Sequence, residues 1–212
     1  MSLEDKVGDK ESKGFIKKAG RLAWKVGMAA ATTALSVPLV GTLGISVGAA
    51  FAAGGLIANL AKGKSLYESI DGALTTYSAV NAVIYPMVWL GNGTFPWISN
   101  LDTAGKLMRG LYASTVYNAA FVGSYNAATH LVDNYMNPKG VWNTVKKDFF
   151  RDWATIGLMF SPFYYAAANN VAQFTMYHPW TGYQAAPTFA AGAVPVGFSH
   201  KYWVDNQKGK GH

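Results

Sequence analysis

The chain has 212 residues, a formal net charge of +7, half its residues hydrophobic, only 14% charged, and no cysteine. Soluble domains usually carry about 25% charged residues, so an ordinary water-exposed surface is disfavoured, and the missing thiols exclude disulfides, cysteine nucleophiles and thiolate metal sites. A basic balance of this kind suits an anionic partner, nucleic acid or a membrane surface, and the positions of the bases decide between them.

Residues 1–12 form a polar tail. The polar lead-in continues to residue 25 and includes Glu4, Asp5, Asp9 and Glu11, so a cleaved secretory signal is not expected. Residues 13–26 then set Phe15, Ile16, Ala19, Leu22, Ala23 and Val26 on one helical face, with Lys13, Lys17, Arg21 and Lys25 on the other at steps of four. Two readings stand level. One is an interfacial amphipathic helix with its bases toward lipid phosphates and Trp24 at the interface. The other is a basic flank continuous with the first membrane span.

Residues 26–61 contain no Asp, Glu, Lys or Arg over 36 positions. One helix of that length would reach about 54 Å at ~1.5 Å per residue, against a hydrocarbon core ~30 Å thick. The stretch is too long for one crossing and barely long enough for two, with Pro38 near its middle. Gly41, Gly44, Gly48, Ala52 and Gly55 give its second half a small-residue face, and Gly44 and Gly48 form a G-x-x-x-G step. Small residues let helices approach closely enough to gain dispersion contacts that lipid cannot match. Gly44, Gly48 and Gly55 are therefore packing candidates, between the first two helices or between protomers.

Three further charge-free windows follow, at 72–101, 110–132 and 153–200. The first fits one span followed by the turn residues Gly91-Asn92-Gly93 and Phe95-Pro96. The second fits one span. The third must cross twice, and its break falls at His178-Pro179-Trp180-Thr181-Gly182. If residues 26–61 cross twice with the N-terminus inside, sixteen of the eighteen Lys and Arg fall on the cytoplasmic side, leaving Lys106 and Arg109 outside. A single crossing gives nine against nine. The positive-inside rule therefore selects the hairpin. Because the bases flank spans, nucleic acid is not expected as a partner.

The expected fold is all-α: a polytopic integral membrane bundle of about six transmembrane helices with an N-terminal amphipathic helix. One helical membrane domain covers 13–205, with spans near 22–40, 43–61, 72–91, 110–130, 153–173 and 185–203, and a polar tail covers 206–212. The sixth span holds Pro187 and Pro195, so a broken or re-entrant segment is the alternative there. The expected location is a plasma-membrane or inner-membrane type bilayer with both termini cytoplasmic.

No acid or base lies mid-span, which argues against a carboxylate proton relay or a voltage sensor. His130, His178, His200 and His212 fall on different sides without metal-ligand spacing, and each reads as a hydrogen-bonded structural residue. No G-x-S-x-G, H-E-x-x-H or Walker pattern occurs, so no catalytic residue, metal or cofactor is expected. What the spans offer is neutral polar residues at helical spacing, with Asn81, Tyr85, Ser114, Asn118, Tyr165 and Asn169 as candidates to line a polar pathway. Amides are costly to leave unpaired in hydrocarbon, so these groups either bond helices together or face a wet cavity. The leading expectation is a channel or facilitator for a small solute or ion. The alternative is a non-catalytic structural or accessory subunit of a larger membrane complex, and a membrane enzyme comes third. The expected partners are the lipid bilayer and further copies or complex subunits.

Overall fold

A computed structural model describes residues 3–40, 43–94, 97–98, 102–170 and 191–204, without the side chains of 3–13, 39–40, 43, 92, 158, 160–170 and 203–204. Every regular element among them is helical: α1 (Leu3–Val40), α2 (Leu43–Ala61), α3 (Leu66–Thr94), α4 (Thr103–Tyr112), α5 (Asn118–Asp133), α6 (Val141–Asn170) and α7 (191–199). A π-helical turn at Ala113–Tyr117 joins α4 to α5 without a break, and a second, His200–Val204, continues α7. The chain is all-α over the described residues.

Interhelical contacts fix the direction of each helix. Lys25 meets Asp71, Thr33 meets Tyr77 and Ser36 meets Asn81, so α1 and α3 run parallel. Gly44 lies against Asn81 and Ile84, Gly48 against Tyr77, and Asn59 against Gly72, so α2 runs opposite to α3. Residues 26–61 are therefore a hairpin, with only residues 41 and 42 between its arms. Tyr117 Oη donates to Met87 O at 2.8 Å and Thr75 Oγ1 to Asp133 Oδ1 at 3.0 Å, which sets α5 antiparallel to α3. Trp153 Nε1 donates to Thr115 O, and His130 pairs with Thr144, so α6 returns antiparallel to α5. α7 lies beside α2, where Gly54 faces Val194 and Phe198 and Gly197 faces Phe51. Helices α1, α3 and α6 run one way and α2, α4–α5 and α7 the other.

Local chemistry explains the ends. Ser65 and Glu68 form a capping box: Ser65 Oγ accepts from Glu68 N at 3.3 Å, and Glu68 Oε2 accepts from Ser65 N at 3.0 Å. Gly63, at φ +73°, supplies the left-handed residue that closes α2. Asp102 caps α4 by accepting from Gly105 N at 2.6 Å. The hydrophobic core gathers Val47 and Phe51 of α2, Val80 of α3, Phe121 of α5, Ile156 of α6 and Val196 of α7.

Some boundaries differ from expectation. Residues 13–26 belong to the uninterrupted α1, so no break separates them from residues 27–40. α3 starts six residues earlier than the expected span. α6 starts at Val141 rather than 153, because its polar first turns pack along α5, with Phe149 over Gly123 and Thr144 on His130. Pro195 is exposed within α7. The expected break at 178–182 and Pro187 lie outside the described residues. Among the described residues one helix, α2, is long and apolar enough by composition to cross a membrane, through the window Gly44–Ala61.

Candidate functional site

The buried faces are unusually polar. On α1 they carry Lys25, Thr32 and Ser36; on α3, Thr75, Thr76, Ser78 and Asn81; on α5, Asn118 and Asn126. Beside the core of Phe51, Phe121 and Ile156, other large apolar side chains are exposed, among them Leu35 on α1, Trp89 on α3, and Leu107, Leu111 and Val116 along α4 and its π-turn.

The densest polar cluster joins α1, α3 and α5 at one end of the bundle. Lys25 is 1% exposed, and its Nζ lies 2.6 Å from Asp71 Oδ2 and 2.7 Å from Asp133 Oδ1. Arg21 reaches the same carboxylates, at 3.0 Å from Asp71 Oδ1 and 3.3 Å from Asp133 Oδ1. Two positive and two negative charges thus share one site and cancel. Burial alone would lower the Arg21 guanidinium, but the carboxylates of Asp71 and Asp133 outweigh it and hold it above its ordinary value. Trp24 Nε1 donates to Val132 O at 2.8 Å, fixing α1 against the end of α5. The expectation that Lys25 faces lipid phosphates is thus corrected: this base points into the bundle because two acids wait for it there.

A second cluster links α6 to α7. Asp152 Oδ1 lies 3.1 Å from Arg151 Nε and 3.2 Å from His200 Nε2, and Arg151 also holds Asp148 at 2.6 Å. Burial pushes the Asp152 carboxyl up, yet His200 and Arg151 outweigh it and keep the group below the usual carboxylate range. Nearby, Lys62 Nζ donates to the carbonyl of Lys201 and stands over the Tyr202 ring. His130 is a hydrogen-bonded structural residue, with Nε2 on Lys139 O and Nδ1 on Thr144 Oγ1, both at 2.9 Å.

Among the described residues, the pathway candidates sit in separate places. Asn81 sits in the α1–α2–α3 contact, where Oδ1 accepts from Ser36 Oγ at 3.0 Å and Nδ2 donates to Tyr77 O at 3.0 Å. Asn118 sits in the α5–α6 contact, donating from Nδ2 to Trp153 O at 3.2 Å. Ser114 donates to Gly110 O of its own helix. Tyr85 is 42% exposed on the outer side of α3. The side chains of Tyr165 and Asn169 lie outside the described residues. A cavity of about 10 Å³ lies inside the bundle, walled by Phe51, Thr76, Tyr125, His200 and others, with neither Asn81 nor Asn118 among them. That volume admits about one water molecule.

The glycines explain how the amides fit. A Cβ at Gly48 would lie 2.7 Å from Asn81 Nδ2, and one at Gly44 2.8 Å from Asn81 Oδ1. Both make room for Asn81 of α3, and Gly44 also lies against Ser36 of α1, so this face packs on α3 as well as on the first helix. Gly55 faces Lys201. At Gly157 a Cβ would come within 2.5 Å of Asn118 Nδ2. The π-turn before Asn118 aims Tyr117 at α3 and Asn118 at α6, although the two are adjacent in sequence.

No group of three or more His, Cys, Asp or Glu that could hold a metal occurs among the described residues. Comparison with protein-family models, with curated proteins and with solved structures gives no match for this chain.

Proposed function

We propose that the chain is a polytopic integral membrane protein that serves as a structural or accessory subunit of a membrane complex. One observation carries the reading: charged and amide side chains are buried in the helix contacts while large apolar side chains are exposed on the outside. Lys25, Asp152, Asn81 and Asn118 are buried beside the apolar core, while Leu35, Trp89, Leu107, Leu111 and Val116 are exposed on the outer faces. Water as the surrounding solvent would favour the reverse, whereas hydrocarbon favours polar groups satisfied internally. The ionic clusters on Asp71, Asp133 and Asp152 fit the expected cytoplasmic ends of the spans, and Arg109, donating to Ile98 O, fits the opposite side. Both termini are then cytoplasmic.

The polar residues of the spans favour the accessory role over a channel. Asn81 and Asn118 are engaged in separate helix contacts, and the small cavity inside the bundle, which neither of them lines, holds about one water. Two measurements test the reading. Cysteines at Gly93 and Asn143, with none native to compete, should label from opposite sides of the membrane; labelling from one side overturns the topology. Mild-detergent purification should recover fixed membrane partners, and liposomes holding the chain alone should show no solute flux. Selective flux through the isolated chain would restore the channel.

A further inference from the structure

An apolar groove of about 600 Å³ opens between the outer faces of α5 and α6, within the ~300–1,000 Å³ common for ligand sites. Ala119, Gly123 and Ala127 line it on α5, and Trp142, Lys146 and Phe150 on α6. Trp142 is 65% and Phe150 75% exposed, so the aromatic wall faces outward. In water this would be a large unsupported patch; beside hydrocarbon it is a seat for an acyl chain.

The charge around the groove selects the occupant. Lys146 belongs to its wall and holds its ammonium 4.9 Å from the centre of the Trp142 ring. Lys147 is exposed beside it. The acids of this stretch turn away: Asp148 and Asp152 are held by Arg151, and Asp152 also by His200. The outward side of the first turns of α6 is therefore both apolar and positive. It lies toward the end of the bundle that carries the Arg21 and Lys25 cluster, because Thr144 meets His130 near the close of α5. We infer that this groove binds an anionic phospholipid, with its acyl chain along Ala119–Ala127 and its phosphate on Lys146. The inference rests on the membrane reading above. Basic pockets between helices on the cytoplasmic side are suited to anionic headgroups, each base near the surface strengthening binding about fivefold.

The test uses the full chain in neutral detergent, with lipid binding followed by native mass spectrometry and thermal melting. Phosphatidylglycerol should bind and raise the melting midpoint, and phosphatidylcholine should do so more weakly. Lys146→Gln should weaken phosphatidylglycerol binding about fivefold while leaving phosphatidylcholine unchanged. Gly123→Leu should block both lipids by filling the groove. Its Cβ would sit 3.7 Å from Phe149, an ordinary contact, so this helix position tolerates a side chain. Melting without lipid reports whether each variant folds, and Ala127→Leu supplies a second groove filler. Equal binding of both lipids, no effect of Lys146→Gln, or the same stabilisation by inorganic phosphate alone would overturn the proposal. So would lipid-independent dimerisation that protects Trp142, which would make a second copy the occupant. Alkaline extraction of cell membranes reads the underlying reading separately. A chain released by carbonate ends the membrane assignment, whereas a chain retained but indifferent to phosphatidylglycerol ends the lipid site alone.

Discussion

Lys25→Met removes one positive charge from a cluster of two and two. What remains is Arg21 facing both Asp71 and Asp133, with one carboxylate uncompensated where Lys25 is 1% exposed. Breaking a buried pair by deleting one partner costs about 3–5 kcal/mol, because the orphaned charge keeps its desolvation penalty. For a chain of this size about 1 kcal/mol moves the melting midpoint by ~2–4 °C, so the expected fall is about 6–20 °C. Arg21→Gln deletes the same formal charge from a side chain that is 42% exposed, where water compensates. Its cost is about 1 kcal/mol or less. Pairing Lys25→Met with Asp133→Asn restores neutrality and should recover most of the loss. The assay is intrinsic tryptophan fluorescence during heating in detergent. A Lys25→Met midpoint within about 2 °C of the parent, or an Arg21→Gln loss as large as that of Lys25→Met, would refute the reasoning.

The glycine contacts give a graded set: Gly48→Leu should lower the melting midpoint by forcing α2 off Asn81, and Gly54→Ala should do so by pressing on the backbone carbonyl of Val194. Gly123→Ala should be silent, and equal effects at all three positions would contradict the contacts described. The Asp152 carboxyl is depressed in the folded state, so its contribution to stability is present above the ordinary carboxylate range near 3.9 and is lost as pH falls through the lower folded value. Asp152→Asn should therefore be less stable than the parent at pH 7, the two curves converging in strong acid; a constant gap down to pH 2 would refute it. Asn81→Leu and Asn118→Leu should each cost stability without creating or abolishing flux, and a well-folded Asn118→Leu with an altered solute flux would reverse that reading.

Much of the helix pattern was legible because windows free of charge fall on helices among the described residues. The α1–α2 hairpin follows from length and charge parity alone, and α2 occupies the expected 43–61. α6 was less legible. Its first twelve residues carry Lys146, Lys147, Asp148, Arg151 and Asp152 and read as a loop, yet they are helical because α5 offers them Gly123 and His130 to pack on. The ionic clusters left a trace that only pairing reveals: Asp71, Asp133 and Asp152 each bound a charge-free window. Taken one at a time they mark edges, whereas in space they are the partners of Lys25, Arg21 and His200. Helical spacing placed Asn81 and Tyr85 on one stripe, but it could not say which neighbour each would meet. Asn81 meets the gap left by Gly44 and Gly48, and Tyr85, one turn further along, has passed beyond it.

The same three acids explain why the helices are ordered as they are. An apolar contact between two spans is as satisfied by lipid as by a neighbouring helix, so it selects partners weakly. A buried ion pair selects strongly, because a mispaired charge at that depth has no substitute. Lys25 is neutralised where α3 and α5 both bring an aspartate within 2.7 Å, which fixes α1 against the junction of those two helices at one end. His200 meets Asp152 only when α7 lies against α6. Between these fixed ends, Asn81 in its glycine niche and Asn118 against Gly157 set the helices at mid-height. Each of these polar side chains is used in deciding which helix lies beside which, and that leaves the outer faces, apolar and free of acids at the α5–α6 groove, as the surface that the proposed membrane reading assigns to lipid and to partners.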